Sequence, residues 1–146
     1  MKSYSPKKKK PSSDSFNYAL MLLSRRDYSE FELRRKLECY DSVEVENTIN
    51  KLKEKGLLSD ERYVERLVDR YIKKGYGFVK IEEELNKKGL LNVSSKAFLK
   101  DIYSEELEKE NILKFLDKKP KEKLYSYLIQ KGFRPHIVQE VLTSKY

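Results

Sequence analysis

The residue types that do chemistry are sparse in this chain of 146 residues, and they seldom stand together. His136, the single histidine, follows Pro135 in what reads as a first helical turn, with no serine or cysteine nucleophile placed to use it. It reads as a surface or capping residue. Cys39, the single cysteine, excludes an intramolecular disulfide and reads as a small apolar filler near a helix end. No Cys/His cluster has metal-ligand spacing. Glu82, Glu83 and Glu84 project about 100° apart on a helix, so they cannot converge on one ion and read as a solvated face. Gly75 and Gly77 lack the third glycine and the preceding strand of a phosphate-binding loop. No catalytic residue, metal or cofactor is expected, and the chain reads as a protein that is not an enzyme.

What remains is charge and aromatic surface. An excess of 32 Lys and Arg over 24 Asp and Glu leaves a net charge of +8. That balance favours an anionic partner, because basic side chains displace the counterions condensed around phosphates. The basic residues recur at helix ends beside turns: Arg25 and Arg26; Arg34, Arg35 and Lys36; Lys73 and Lys74; Lys80; Lys87 and Lys88; Lys131 and Arg134. Local capping of helix C-termini explains several of them, and a binding surface explains them equally well. Among eleven tyrosines and six phenylalanines, Tyr63, Tyr71, Phe78, Phe115 and Phe133 fall on apolar stripes and belong in a core. Tyr4, Tyr28, Tyr40 and Tyr76 lie off the stripes and are expected at the surface, with Tyr76 as the candidate contact.

These side chains need helices to position them. Phe16, Ala19, Leu20 and Leu23 share one helix face. Ser29 and Glu32 form a capping box, and Asp41 with Glu44 offers the same chemistry before Val45, Ile49 and Leu52. Gly56 stops that helix. A fourth helix opens at Ser59-Asp60 and carries Tyr63, Val64, Leu67, Val68, Tyr71 and Ile72 to the turn at Gly75 to Gly77. Phe78, Ile81 and Leu85 mark a fifth, ended by Gly89; Ala97, Phe98 and Ile102 suggest a sixth. A less regular stripe through Leu107, Ile112, Phe115 and Leu116 follows. Pro120 suits the first turn of an eighth helix and Pro135 that of a ninth. No stretch alternates with period two, so a sheet is not expected. The longest apolar run, Ala19 to Leu23, is too short to span a membrane, and Lys7 to Lys10 lead into Pro and Ser rather than an apolar signal segment. A reducing cytoplasm fits the cysteine count.

The Leu-x-x-Lys-Gly-apolar signature at Leu85 to Leu90 recurs at Leu128 to Phe133, and Leu33 with Leu37 is a weaker copy; Leu37, Leu85 and Leu128 are spaced by 48 and 43 residues. Lys36, Lys88 and Lys131 fall near corresponding positions of the three copies. The segment Gly75-Tyr-Gly-x-x-Lys-Ile-x-x-Glu-Leu-x-x-Lys-Gly89, read with Ala19-Leu20-x-x-Leu23-x-Arg25-Arg26-x-x-Ser29-x-x-Glu32-Leu33-x-x-Lys36-Leu37, Leu52-x-x-x-Gly56-Leu57-Leu58-x-Asp60 and Leu128-x-x-Lys131-Gly132-Phe133, resembles the RecX family of bacterial regulators of the RecA recombinase. The resemblance runs from about Phe16 to Leu142. Departures are Phe78 where the family often has Pro, Val64 where Ala is usual, and Tyr40-Asp41 where the other two repeats here have Lys-Gly.

Periodicity and resemblance agree on an all-α chain: an elongated array of three tandem three-helix repeats, 15–58, 59–103 and 104–146, behind a disordered basic tail, 1–14. The resemblance implies a non-catalytic regulator, usually an inhibitor, that lodges on the RecA–DNA filament and changes ATP turnover, strand exchange and filament persistence in recombination, repair and the SOS response. The contact candidates are Arg25, Arg26, Arg34, Arg35, Lys36, Lys73, Lys74, Tyr76, Lys80, Lys87, Lys88, Lys131 and Arg134. Lys7, Lys8, Lys9 and Lys10 are candidates for non-specific DNA binding. Partners are then RecA and single- or double-stranded DNA, with the protein a monomer and no membrane involved. A rival reading is a nucleic-acid-binding helical adaptor acting without RecA, since three-helix units resemble helix-turn-helix modules.

Overall fold

The structure, a computed structural model, describes Pro11 and residues 13–145. Nine helices account for most of it: α1 (Ser15–Arg25), α2 (Glu30–Lys36), α3 (Ser42–Glu54), α4 (Asp60–Lys73), α5 (Phe78–Lys87), α6 (Val93–Ile102), α7 (Glu105–Leu113), α8 (Lys121–Gln130) and α9 (Pro135–Lys145). Among the described residues there is no strand, as the absence of period-two patterning requires. The chain divides into two compact units, one up to Tyr63 and one from Val64 on.

In the first unit, helix starts are written in side-chain oxygens. Asp14 accepts from the Asn17 amide and caps α1, and Ser29 with Glu32 closes both halves of the expected capping box. Asp41 caps α3 through the Val43 amide, but the second half of that box does not form. Glu44 instead accepts from the Ser15 amide at 3.0 Å and ties α3 to the start of α1. Asp60 accepts from the Glu30 amide at 2.9 Å, a bond that ties α2 to the start of α4. Lys7 to Lys10 lie outside the described residues. The last positions assigned to the tail are engaged, because Asp14 is a cap and the Ser13 carbonyl accepts the Tyr40 hydroxyl at 2.7 Å. Neither contact carries a hydropathy signal.

Tyr28 and Tyr40 correct the surface assignment. Both are buried in the first core beside Leu33, Leu37, Val45, Ile49 and Leu52, and Cys39 packs against it as the filler expected. The reason is the hydrophobic staple, in which the residue before an N-cap folds back on the fifth residue after itself. Tyr28 precedes the cap Ser29, with Leu33 at the staple position; Tyr40 precedes Asp41, with Val45 there.

In the second unit, Ile112, Leu128, Phe133, Ile137, Val138 and Val141 form a common core, and Phe78, Ile81, Leu85, Leu99 and Tyr103 are buried as well. The face assigned to α6 needs correction: Ala97 and Ile102 are exposed, while Leu99 and Ser95 face inward. Ser95 is placed there by its bonds to the Leu90 carbonyl and to the cap residue Asn92.

The Gly132 turn after α8 meets the start of α5 backbone to backbone. The Gly77 amide donates to the Lys131 carbonyl at 3.0 Å, and the Val79 amide to the Gly132 carbonyl at 2.8 Å. A Cβ on Gly132 would lie 2.3 Å from Lys80 Cβ, and one on Gly77 would lie 2.2 Å from Gly132 C, so both positions exclude a side chain. Gly132 also has φ +89°, a backbone region that favours glycine.

Candidate functional site

The polar centre of the second unit is Glu108, a residue the sequence reading passed over. Its side chain is 0% exposed on α7. One carboxylate oxygen accepts the Phe78 amide at 3.0 Å and the Arg134 amide at 3.1 Å; the other accepts Arg134 Nε at 2.6 Å. A single anion thus caps α5 and the turn into α9, where orphan amides and helix dipoles favour negative charge. Phe78, in place of Pro, is what supplies the first of these donors. Arg134 also lies 4.2 Å over the Phe78 ring and reaches the Tyr103 carbonyl. It belongs to the interior of the unit, which leaves little of its charge for a partner.

Tyr103 completes this support. Its hydroxyl donates to the Tyr76 carbonyl at 2.7 Å and accepts from Asn111 Nδ2 at 2.8 Å. Burial pushes its hydroxyl well above the ordinary tyrosine range, so it stays protonated and able to donate. The Gly75 to Gly77 turn is therefore fixed from below by Tyr103 and from the side by the Lys131 carbonyl.

On this support sits a surface of lysines and tyrosines. Tyr76 is half-buried, with its ring 5.2 Å from Tyr71, and Lys131 Nζ lies 4.7 Å over the Tyr76 ring and 4.7 Å over Phe115. The rings are already engaged, so they hold a lysine in place and are not an open stacking platform. Lys80 and Lys87 each stand 3.4 Å from the same oxygen of Glu84, and the Tyr71 hydroxyl also bonds Glu84. Glu84 is thus no solvated carboxylate: its side chain is 14% exposed. Burial pushes its carboxyl up, but the hydrogen bond from Lys87 and the charges of Lys87 and Lys80 outweigh that and hold it below the usual range. Lys88 adjoins through its charge on Tyr71, whose hydroxyl is raised first by burial and then by Glu84. Lys74 is exposed with no carboxylate pairing it among the described residues, and Lys73 pairs with Asp69 at 2.9 Å.

The other candidates lie in the first unit. Arg26 stacks 3.6 Å over Tyr28 and stands 3.5 Å from Glu32. Arg34 is held by Glu30 at 3.0 Å and by Glu46. Arg35 lies 5.6 Å over the exposed Phe31, and Arg25 and Lys36 are exposed with no carboxylate pairing them among the described residues. Among the candidates in this unit, available charge is therefore at Arg25, Arg35 and Lys36. His136 is exposed and pairs with Glu105 at 2.8 Å, as its surface reading requires.

Among the described residues no group of His, Cys, Asp and Glu is arranged to hold a metal, and no helix is long and apolar enough to cross a membrane.

Residues 16–52 match the family model described as RecX, first three-helix domain. The chain is 35% identical over 137 residues to the regulatory protein RecX of Haemophilus influenzae, covering 84% of this chain and 89% of that protein. It is 34% identical over 131 residues to the regulatory protein RecX of Mannheimia succiniciproducens, covering 82% of this chain and 86% of that one. A crystal structure of RecX from Lactobacillus salivarius superposes with a TM-score of 0.79 at 23% identity, over 89% of this chain and 93% of that one.

Proposed function

The chain belongs to the RecX family of regulatory proteins, and from that premise we propose that it is a non-catalytic inhibitor of the RecA recombinase. It binds the RecA–DNA filament and lowers ATP turnover, strand exchange and filament persistence in recombination, repair and the SOS response. The observation that carries this reading is the set of lysines on α5, placed beside a turn whose glycines admit no side chain. Such a surface suits an anionic partner. The protein acts in the cytoplasm as a monomer.

In this reading the three repeats, 15–58, 59–103 and 104–146, together contact neighbouring protomers. One α5 covers only about 15 Å. Steering by net positive charge precedes contact, so association slows as salt rises. The rival is a nucleic-acid-binding adaptor that needs no RecA. Affinity for single-stranded DNA, measured with and without RecA and ATP, separates the two: the filament regulator binds the RecA-coated strand more tightly, and equal affinities favour the adaptor.

A further inference from the structure

The lysines of α5 do not form an uninterrupted row. Between Lys80 and Lys87 stands Glu84, with one carboxylate oxygen 3.4 Å from each ammonium group and the Tyr71 hydroxyl joining from α4. Lys80 is itself only 31% exposed, against 66% for Lys87, so the pair grips the carboxylate from an inner and an outer side. The neighbouring Glu83 carries the same formal charge and is simply exposed. Taking a carboxylate largely out of water is costly unless donors replace the lost hydration. Here two ammonium groups and a phenol do so. One anion therefore sits in a cationic cradle on the face assigned to partner binding.

We propose that Glu84 is a built-in counter-ion holding the place of a DNA phosphate, and that the surface binds single-stranded DNA by exchanging this carboxylate for a phosphodiester. The inference rests on the reading of the α5 surface given above and names its ligand. The donors favour phosphate over a partner's carboxylate: arginine's planar fork suits carboxylates, whereas lysine acts as a point charge on a flexible stem, and every cation in the cradle is lysine. In the exchange the Glu84 side chain swings to solvent while Lys80, Lys87 and the Tyr71 hydroxyl turn to the phosphate, so no charge is left buried and unpaired. The cradle is then restrained toward stray polyanions and responds to a strand held close by other contacts.

Fluorescence anisotropy of a labelled oligothymidylate tests this with wild type, Glu84→Gln, Glu83→Gln and the pair Lys80→Gln/Lys87→Gln. Glu84→Gln keeps the shape and an acceptor for Tyr71 while removing the competing charge. It tightens binding about three- to fivefold, the scale of partly exposed ion pairs. Glu83→Gln removes the same net charge and changes affinity less than about twofold. In the Lys80→Gln/Lys87→Gln background the gain from Glu84→Gln disappears. Glu84→Ala, which removes the side chain outright, shifts affinity in the same direction, and circular dichroism of each variant reports folding. Equal gains from Glu83→Gln and Glu84→Gln, or a gain that persists without the two lysines, overturn the proposal by reducing it to net charge. A gain seen on the RecA-coated strand but not on the bare oligonucleotide overturns the phosphate assignment in favour of a protein carboxylate. RecA ATPase measured with the same wild-type preparation reports separately on the regulatory reading.

Discussion

Removing the Glu108 carboxylate should destabilise the second unit more than any surface change. Glu108→Ala deletes the acceptor of two backbone amides, at 3.0 and 3.1 Å, and of Arg134 Nε at 2.6 Å. It leaves a guanidinium whose side chain is 19% exposed without its carboxylate. Breaking a buried pair by removing one partner costs about 3–5 kcal/mol, because the orphaned charge remains. A loss of about 4 kcal/mol corresponds to a fall in Tm on the order of 15 °C for a chain of this size. Glu108→Gln keeps one oxygen for the amides but turns an amide N–H toward Arg134 or toward the backbone donors, and costs about half as much. Arg134→Met leaves the carboxylate capped by amides on one oxygen only, and costs about 3 kcal/mol. The pair Glu108→Leu/Arg134→Met removes both charges together and costs clearly less than the two single charge deletions added. Urea denaturation followed by circular dichroism gives all four values. A cost under about 1 kcal/mol for Glu108→Ala, or strict additivity of the pair, would refute the idea that one buried anion holds α5 and α9 in place.

Gly132→Ala forces a side chain into the α5 backbone and into strained φ, so it should cost about 3 kcal/mol or more and lower Tm by roughly 10 °C; an unchanged melting curve contradicts the close approach. Ser29→Ala opens the α2 capping box and should cost about 1 kcal/mol in the urea midpoint, with no effect counting against the box. Glu30 is held below its usual pKa by its hydrogen bond from Lys53 and, after the opposing effect of burial, by Arg34. It therefore stabilises above the unfolded carboxylate range, and that contribution is lost as pH falls through its lower folded value. Asp60, raised by burial, has the opposite sign: its contribution is fully present below the unfolded value and is lost as pH rises through the folded one. The stability difference between wild type and Glu30→Gln should therefore shrink as pH is lowered through the carboxylate range, and a difference constant with pH refutes the assignment.

Local chemistry was the legible part of the sequence. Ser29 with Glu32, the glycine turns and the proline starts mark helix ends because each satisfies or removes a backbone group, and that is readable from residue type alone. Buried turn residues were not readable from a helical period, since Tyr28 and Tyr40 stand outside the helices. Their signal was an apolar residue before an N-cap with a second one five positions on. Tyr103 and Ser104 repeat that pattern, with Glu108 at the position Leu33 and Val45 hold elsewhere. The irregular stripe of α7 was itself the trace of this buried charge, since Glu108 and Ile112 share a face. The basic candidates were found by type, but only the structure separates Arg134, committed to Glu108, from Lys131, which rests on aromatic rings. Pairing between helices, as of Arg134 with Glu108, depends on which helices meet, whereas Lys73 with Asp69 and Lys80 with Glu84 stand four apart on one helix, a spacing readable from the sequence.

Regulation of RecA through the α5 surface is read out by steady-state ATP hydrolysis by RecA on single-stranded DNA, titrated with this protein and with the triple variant Lys80→Glu, Lys87→Glu and Lys88→Glu. Wild type should lower hydrolysis, and the variant, whose helicity circular dichroism must report because Lys80 and Lys87 are the partners of the largely buried Glu84, should need a much higher concentration for the same effect. Hydrolysis unchanged by wild type contradicts regulation of RecA. Equal potency of the two proteins contradicts the α5 surface as the place where it acts.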